Sequence, residues 1–361
     1  MSSDRREFLG QVAAVTTGLG VGALTATAQR AAAMPTPRAS ALMVLFGLKY
    51  PIFSAGMGVT AIPELAIAVS SAGGLGAVGT ALPAADLVRQ RVSKAKSATN
   101  RPFAANILLA RNPEALPVAL DAGAPIIQFA WGIPTVDAVV AVRKAGAKMG
   151  IQIGNAAGAR RALDLGADYL ICQGIEAGGH VQGTSALYDV LPAVIDAAKT
   201  VPVLAAGGIA SGAHIRRALL AGASGVLVGT RFVATKEAGA HDEYKSALTR
   251  AKAADTVLTV CFQDPWVNAP HRVLRNRTLD MWEAAGCPPP GKRPGEGDVL
   301  TTNAVTGAMK RRYSTANPAP DDRGAVTELA LWAGQGVDAI RDIPSAGELV
   351  GRLWKECLDA A

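Results

Sequence analysis

The sequence has few of the residues that metal and nucleic-acid sites need. Its 361 residues include only four histidines and four cysteines, and no two cysteines stand in a C-x-x-C spacing, so we predict no metal site. Aromatic residues make up 5% and charged residues 18% of the chain. No basic stripe is interleaved with aromatics, so we predict no nucleic-acid partner. The formal net charge of +7 is scattered along the chain, which indicates a soluble surface.

The four cysteines do not form a framework. Cys172 falls in an apolar strand pattern and is predicted to be an inert core residue. Cys261, Cys287 and Cys357 could pair in an oxidising compartment, and the sequence leaves their state open.

Residues 1–33 have the pattern of a twin-arginine signal peptide. Arg5 and Arg6 precede Phe8 and Leu9, residues 8–28 carry no charge, and Ala-x-Ala sites end at positions 28 and 33. The apolar stretch is too dilute for a membrane span, and no later one is long enough, so we expect no stable membrane partner. We therefore expect recognition by the twin-arginine export machinery and a periplasmic or exported protein. A cytoplasmic protein with a disordered tail, or a membrane tether, is the alternative, and whether and where the signal is cleaved stays open.

Glycine, by contrast, is abundant, and it recurs in a regular way. Tripeptides such as Ala122-Gly-Ala124 and Ala221-Gly-Ala223 precede apolar runs, as expected where glycine ends a helix and the chain enters a strand. Eight such strands are predicted, beginning near residues 51, 75, 103, 125, 148, 168, 202 and 224. Helical stretches follow them, so we predict an α/β fold, a (β/α)8 TIM barrel over residues 45–235, with a doubly wound open sheet as the alternative.

The repeat stops after residue 235. We predict helices over residues 241–254, 328–334 and 347–358, and a proline- and glycine-rich loop over residues 287–300. Residues 236–361 are therefore predicted to be a C-terminal extension that forms a helical cap over the barrel mouth, within the same catalytic domain.

Two glycine turns follow the last two strands, where barrels often bind phosphate. Gly207 and Gly208 come after the seventh strand, and Gly229 and Thr230 come after the eighth. Without a side chain, glycine lets backbone N–H groups approach an anion closely. We predict a phosphate site there.

The loop after the sixth strand carries the strongest sequence indication of a catalytic residue. It runs from Gln173 through Glu176 and Gly178 to His180, and it packs polar residues among glycines. Histidine titrates near neutral pH and can take or give a proton, so His180 is the candidate catalytic residue. Glu176 either orients His180 or caps a helix.

Other strand ends offer contacts for a flat ring. The first strand ends in Ala55-Gly56-Met57, where the backbone can meet a ring closely. The third, fourth and fifth strands carry the amides of Asn106, Gln128 and Gln152 near their ends, which can hydrogen-bond ring edges. Trp131 follows the fourth strand and either walls this pocket or packs elsewhere.

Several of these segments resemble one family. The motifs Gln173-Gly-Ile-Glu-Ala-Gly-Gly-His180, Ala206-Gly-Gly-Ile209 and Val228-Gly-Thr-Arg-Phe232, with Ala333-Gly-Gln-Gly336 in the tail, are similar to those of nitronate monooxygenases, formerly called 2-nitropropane dioxygenases. The resemblance covers most of residues 45–355. A flavin-dependent enoyl-acyl-carrier-protein reductase of the same superfamily has a similar core.

The resemblance implies a noncovalently bound FMN and a catalytic His180. The implied reaction oxidises alkyl nitronates, or the parent nitroalkanes, with O₂ to carbonyl compounds and nitrite; His180 would deprotonate a neutral nitroalkane or hydrogen-bond the nitronate oxygens. The implied cofactor residues are Ala55, Gly56, Met57, Asn106, Gln128, Gln152, Gln173, Gly178, Gly207, Gly208, Gly229 and Thr230. The alternatives are an FMN-dependent NAD(P)H oxidoreductase acting on enoyl thioesters or quinones, and a binding protein without turnover. A homodimer stays open.

Overall fold

The computed structural model describes residues 34–81 and 84–360. The signal peptide predicted for residues 1–33 lies outside the described residues and stays a prediction. Within the described ranges, no helix is both long enough and apolar enough to cross a membrane.

Helices and strands alternate from residue 37 to residue 233. The elements are α1 (Pro37–Phe46), β1 (Ile52–Ser54), α2 (Pro63–Ser71), β2 (Gly76–Gly79), α3 (Ala85–Ala98), β3 (Phe103–Leu108), α4 (Ala115–Asp121), β4 (Ile126–Ala130), α5 (Val136–Lys144), β5 (Lys148–Ile153), α6 (Ala156–Asp164), β6 (Tyr169–Gln173), β7 (Gly179–His180), α7 (Leu187–Ala198), β8 (Val203–Ala206), α8 (Gly212–Leu220), β9 (Gly225–Val228) and α9 (Thr230–Val233).

Eight of these strands form one parallel barrel. Their order is β1-β9-β8-β6-β5-β4-β3-β2, and a parallel bridge between Phe53 and Leu75 joins the two ends of the sheet. The predicted (β/α)8 barrel is confirmed, and the open sheet is not formed. The short strand β7 does not belong to this sheet.

Predicted helix-ending glycines have the required backbone. Gly73 and Gly222 have φ values of +100° and +96°, a region that side chains disfavour. Each glycine is the second residue after its helix and turns the chain toward the next strand. The sequence signal for strand starts therefore has a conformational cause.

A cluster of buried apolar side chains fills the barrel. It includes Phe53 and Tyr169, and Phe46 from α1 packs edge-on against both, with ring centroids 5.9 and 5.4 Å apart. Residues at the starts of other strands, such as Ala104 and Ile126, belong to the same cluster. Dense packing here leaves the opposite, carboxyl end of the strands available for a site.

The tail contains three helices and two small antiparallel sheets. Its elements are α10 (Asp242–Arg250), β10 (Thr256–Thr259), β11 (His271–Leu274), α11 (Arg277–Ala284), β12 (Val299–Asn303), β13 (Met309–Arg311), β14 (Asp322–Gly324) and α12 (Ala346–Asp359). One sheet has the order β10-β11-β7 and the other β13-β12-β14. The sequence predicted the helices near α10 and α12 but neither sheet.

The helix predicted over residues 328–334 is wrong. A 3-10 turn over Val326–Glu328 is followed by an extended segment, in which Trp332 forms a bridge with Val273 and the Leu331 carbonyl accepts from the Leu274 N–H. Pairing with β11 satisfies this backbone, and it overrides the local helical pattern.

The last helix returns to the barrel. α12 packs against α8 and α2, between the helices that follow the seventh and the first barrel strands. α12 thus belongs to the outer ring of helices around the barrel, and this ring extends beyond residue 235. Residues 236–345 form an insertion between β9 and this helix.

Candidate functional site

One cavity of about 500 Å³ lies at the carboxyl ends of the barrel strands, a volume typical of small-ligand sites. It brings together His180 and all twelve residues predicted to bind a cofactor. Those twelve lining residues are Ala55, Gly56, Met57, Asn106, Gln128, Gln152, Gln173, Gly178, Gly207, Gly208, Gly229 and Thr230.

The two predicted phosphate turns lie side by side. β8 pairs with β9 in parallel, so the turns that follow them meet at one point of the mouth. Gly207 and Gly208 have φ values of +112° and +68°. Within the described residues, the backbone N–H groups of Gly208, Gly229 and Thr230 donate no hydrogen bond. We call residues 207–208 and 229–230 the glycine cradle, and its free donors suit an anion.

The tail presses directly on this cradle. A Cβ on Gly336 would lie 2.4 Å from the Gly208 carbonyl oxygen, and one on Gly178 would lie 2.4 Å from the Gly334 nitrogen. The Gly334 N–H also donates to the Thr230 hydroxyl, at 3.0 Å. The tail motif Ala333–Gly336 therefore has glycine at two of its four positions, where three backbone segments meet without room for side chains.

Close packing and one unpaired amide oxygen characterise the wall of the cavity formed by β1, β3 and β4. A Cβ on Gly56 would lie 2.1 Å from the Asn106 Cβ, and Asn106 Nδ2 donates to the Gly56 carbonyl at 3.3 Å. Gln128, next to Asn106 in the sheet, is 1% exposed and its Oε1 has no partner among the described residues. A buried polar atom without a partner is costly, and a ligand N–H would satisfy it.

Two polar side chains of the sixth loop turn out to position the backbone. Gln173 Nε2 donates to the His180 carbonyl at 3.2 Å, and its Oε1 accepts from the Gln182 N–H at 2.8 Å. Gln182 in turn accepts from the Trp131 N–H. Glu176 accepts from the Leu187 N–H at the start of α7. Of the two roles open for Glu176, the structure supports the helix cap.

Four aromatic rings surround the imidazole of His180. Trp266 lies 4.1 Å and Trp332 lies 5.3 Å away between ring centroids, each tilted by about 40°. Trp131 and His271 meet it edge-on at 5.9 and 5.4 Å. The sequence analysis considered Trp131 alone. The missed signal is composition: the chain has five tryptophans, and three of them meet here.

His180 is neutral in this environment. Burial, with the nearby His271 and Arg111, lowers its pKa to about 3, because a charged imidazole loses its hydration in an apolar cage. Its Nδ1 atom is buried and has no hydrogen-bond partner among the described residues. This nitrogen is therefore unsatisfied in a residue that lines the cavity.

His271 is held in one neutral form. Its Nε2 accepts from the Phe262 N–H at 3.2 Å, so its Nδ1 is the nitrogen that donates to the Ala269 carbonyl, at 2.9 Å. The side chain is fully buried, and burial lowers its pKa to about 4. In the β7–β11 pair it lies directly opposite His180.

This burial predicts acid lability. Between pH 6.5 and about 4 the unfolded chain binds a proton at residue 271 that the folded protein does not, so stability falls as the pH is lowered through that window. In the His271→Gln variant, the fall in the free energy of unfolding across this pH window should be smaller by on the order of 3 kcal/mol. Urea unfolding at pH 7.5 and 4.5 measures it; an unchanged difference between the two pH values would refute the assignment.

The charges at the cavity are positive. None of the described lining residues is acidic, and Arg111 and Lys310 both line it. The Lys310 ammonium pairs with the buried Asp322 carboxylate. Arg111 is exposed, lies 5.9 Å from the Trp266 ring, and makes no ion pair within residues 34–81 and 84–360. An anion entering the cavity is thus attracted by Arg111.

The described residues hold no group of three or more His, Cys, Asp or Glu side chains that could bind a metal ion. Cys172 is buried in β6, as predicted, and burial raises its pKa to about 12. Cys261 and Cys357 are buried and Cys287 is exposed, all three as free thiols. None of the four cysteines lines this cavity, so cysteine chemistry takes no part in it.

Comparisons with known proteins point to one family. A family model described as nitronate monooxygenase matches residues 39–118 and 113–356. The nitronate monooxygenase of Pseudomonas aeruginosa is 31% identical over 359 residues, covering 86% of this chain and 97% of that protein. A protein of Mycobacterium tuberculosis named (3aS,4S,5R,7aS)-5-hydroxy-7a-methyl-1-oxo-octahydro-1H-indene-4-carboxyl-CoA dehydrogenase is 34% identical over 247 residues, 67% of this chain and 68% of that protein.

Solved structures share the architecture. Nitroalkane oxidase from Streptomyces ansochromogenes superposes with a TM-score of 0.71 at 29% identity, covering 89% of this chain and 98% of that one. FabK from Thermotoga maritima superposes with a TM-score of 0.72 at 27% identity, covering 88% and 96%. With the family match spanning most of the residues that build the barrel, the cradle and the histidine loop, the chain belongs to the nitronate monooxygenase family of oxidoreductases.

Proposed function

We propose that this protein is an FMN-dependent nitronate monooxygenase that oxidises alkyl nitronates with O₂ to carbonyl compounds and nitrite. One observation carries the proposal. A single cavity joins the unpaired N–H groups of the glycine cradle, the unpaired Gln128 amide oxygen and the caged His180. The FMN phosphate would bind the cradle N–H groups, the ring edge would bind the Gln128 amide oxygen, and the substrate would lie beside His180.

The residues present fit FMN. The glycine cradle would hold the phosphate, and Ala55, Gly56 and Met57 would lie along the ring, where glycine allows close approach. Gln128 Oε1 would accept a hydrogen bond from a ring N–H, and this buried atom would then have a partner. Bound FMN would supply the electron acceptor and the site at which O₂ reacts. The structure's own side chains supply binding, orientation and exclusion of water.

His180 is suited to a substrate that is already an anion. With its pKa lowered to about 3, the neutral imidazole is a weak base, so it removes a proton from a neutral nitroalkane only slowly. It can also orient a nitronate by hydrogen bonding, while the three tryptophans keep water away and strengthen that bond. Arg111 at the mouth draws the anion in. We therefore propose nitronates, more than neutral nitroalkanes, as the preferred substrates.

The second candidate is an FMN-dependent NAD(P)H oxidoreductase of the enoyl reductase type. The similarity to FabK supports it. It would require reduction by a nicotinamide, and for thioesters it would require space for a long acyl chain. The two functions differ in the reductant that the protein accepts.

An anaerobic titration tests both candidates. We expect purified protein to be yellow, and ethyl nitronate added without O₂ to change the flavin absorbance within the mixing time. NADH at the same concentration should change it far more slowly. Free FMN with each reagent is the control. Colourless protein that takes up no FMN would overturn the proposal, and rapid bleaching by NADH alone would favour the reductase.

A further inference from the structure

Trp266 closes one face of the catalytic imidazole. Its ring centroid is 4.1 Å from that of His180. Carbon atoms in contact are about 3.5–4.0 Å apart, so no substrate atom fits between the two rings. A substrate that reaches His180 must therefore stop at this indole on that side.

The indole is held from its outer side as well. Trp131 meets it at 4.7 Å between centroids, and the Arg111 guanidinium lies 5.9 Å from its centre, a favourable position for a cation near an aromatic ring. Arg111 is exposed and Trp266 is partly buried. Trp266 thus separates the imidazole from a charged, exposed side chain at the mouth.

The segment that carries Trp266 is pinned at several points. The Asp264 N–H donates to the Tyr313 carbonyl at 3.1 Å, and the Asp264 carbonyl accepts from the Thr315 N–H at 2.8 Å. Gln263 Oε1 accepts from the Asn268 N–H. Past the tryptophan, the Pro270 carbonyl accepts from the Val181 N–H at 2.8 Å. These contacts make Trp266 a wall and not a swinging lid.

We infer that Trp266 sets the chain length of the substrate and restricts the enzyme to short alkyl nitronates. This inference rests on the proposed function and deepens it, because it names the substrate class. It also disfavours a long acyl chain beside His180. Replacing the indole with a small side chain should open a path toward Arg111 for longer chains.

Unreactive carboxylates test this wall without turnover. A carboxylate resembles a nitronate, with two oxygens sharing one charge in a plane. We would measure the Kd of propanoate, butanoate, hexanoate and octanoate on FMN-loaded protein, by flavin absorbance and by calorimetry. Each buried methylene should tighten binding about fourfold. In the wild type this gain should stop within the series and reverse for octanoate.

Trp266→Ala should extend the gain to octanoate. We expect octanoate to bind at least about tenfold more tightly than to the wild type, and propanoate to change less than about threefold. Trp266→Leu is the second variant if the alanine variant fails to fold. Trp354→Ala is the matched control. Trp354 lies on α12, packs against Tyr50 and does not line the cavity, so this variant should show the wild-type dependence of Kd on chain length.

The same chain-length dependence in wild type and in the folded Trp266 variants would overturn the inference. This outcome is separable from the proposed function. If the protein oxidises ethyl nitronate but carboxylate affinity keeps rising up to octanoate, only the inference about Trp266 is overturned. A protein that takes up no FMN loses the proposed function and, with it, the inference that rests on it.

Discussion

Replacing His180→Asn is expected to lower kcat/KM for neutral nitroethane by about 10²–10⁴-fold, the usual contribution of a general base. The loss for ethyl nitronate should be only about tenfold, because a preformed anion needs a hydrogen bond from residue 180 and no proton removal. Steady-state O₂ uptake with each substrate at pH 7.5 measures both losses. The wild type itself should favour the nitronate, since burial lowers the pKa of His180 to about 3.

His241→Asn is the matched control for this variant. His241 caps α10, where its Nδ1 accepts from the Glu243 N–H, and asparagine is itself a good capping residue. His241 does not line the cavity, so both kinetic constants should stay at wild-type values. Equal losses on both substrates in His180→Asn would contradict a base role and leave His180 an orienting role alone.

Gly336→Ala is expected to loosen FMN binding by about 10–100-fold. A Cβ there would lie 2.4 Å from the Gly208 carbonyl oxygen and 2.7 Å from its carbon, so the tail and the glycine cradle must move apart. Overpacking of this kind typically costs about 1–3 kcal/mol. FMN titration monitored by flavin fluorescence measures the affinity, and urea unfolding measures the stability.

Gly351→Ala serves as the control for that substitution. Gly351 lies in α12, and a Cβ there meets nothing within 4 Å. Alanine should therefore raise the free energy of unfolding by about 0.5–1 kcal/mol and leave FMN affinity unchanged. Wild-type FMN affinity in Gly336→Ala would refute the view that the tail holds the cradle in shape.

The barrel could be predicted because its signal is local. A glycine such as Gly73 ends five of the helices within a few residues of the next strand, and the repeat reveals the fold. The site followed from the fold, because the carboxyl ends of parallel strands meet at one mouth. Asn106 and Gln128 could thus be placed together before their register in adjacent strands was known.

The aromatic cage could not be predicted, because its members meet only through tertiary pairing. His271 and Trp332 reach His180 through the antiparallel contacts of β11 with β7 and with the extended tail segment. The local sequence around neither residue indicates a contact with His180. The helix expected over residues 328–334 failed for the same reason, since pairing with β11 outweighed local propensity. The twin-arginine signal stays a prediction.

The position of α12 bears on the order of events during synthesis. The outer ring lacks this helix until residues 346–359 have left the ribosome, because α12 follows an insertion of roughly a hundred residues and packs between α2 and α8. Nascent chains that end before Ser345 would therefore have all eight barrel strands but an incomplete outer ring of helices. Early termination should accordingly yield chains whose α2 and α8 are left uncovered on this side and which are prone to degradation.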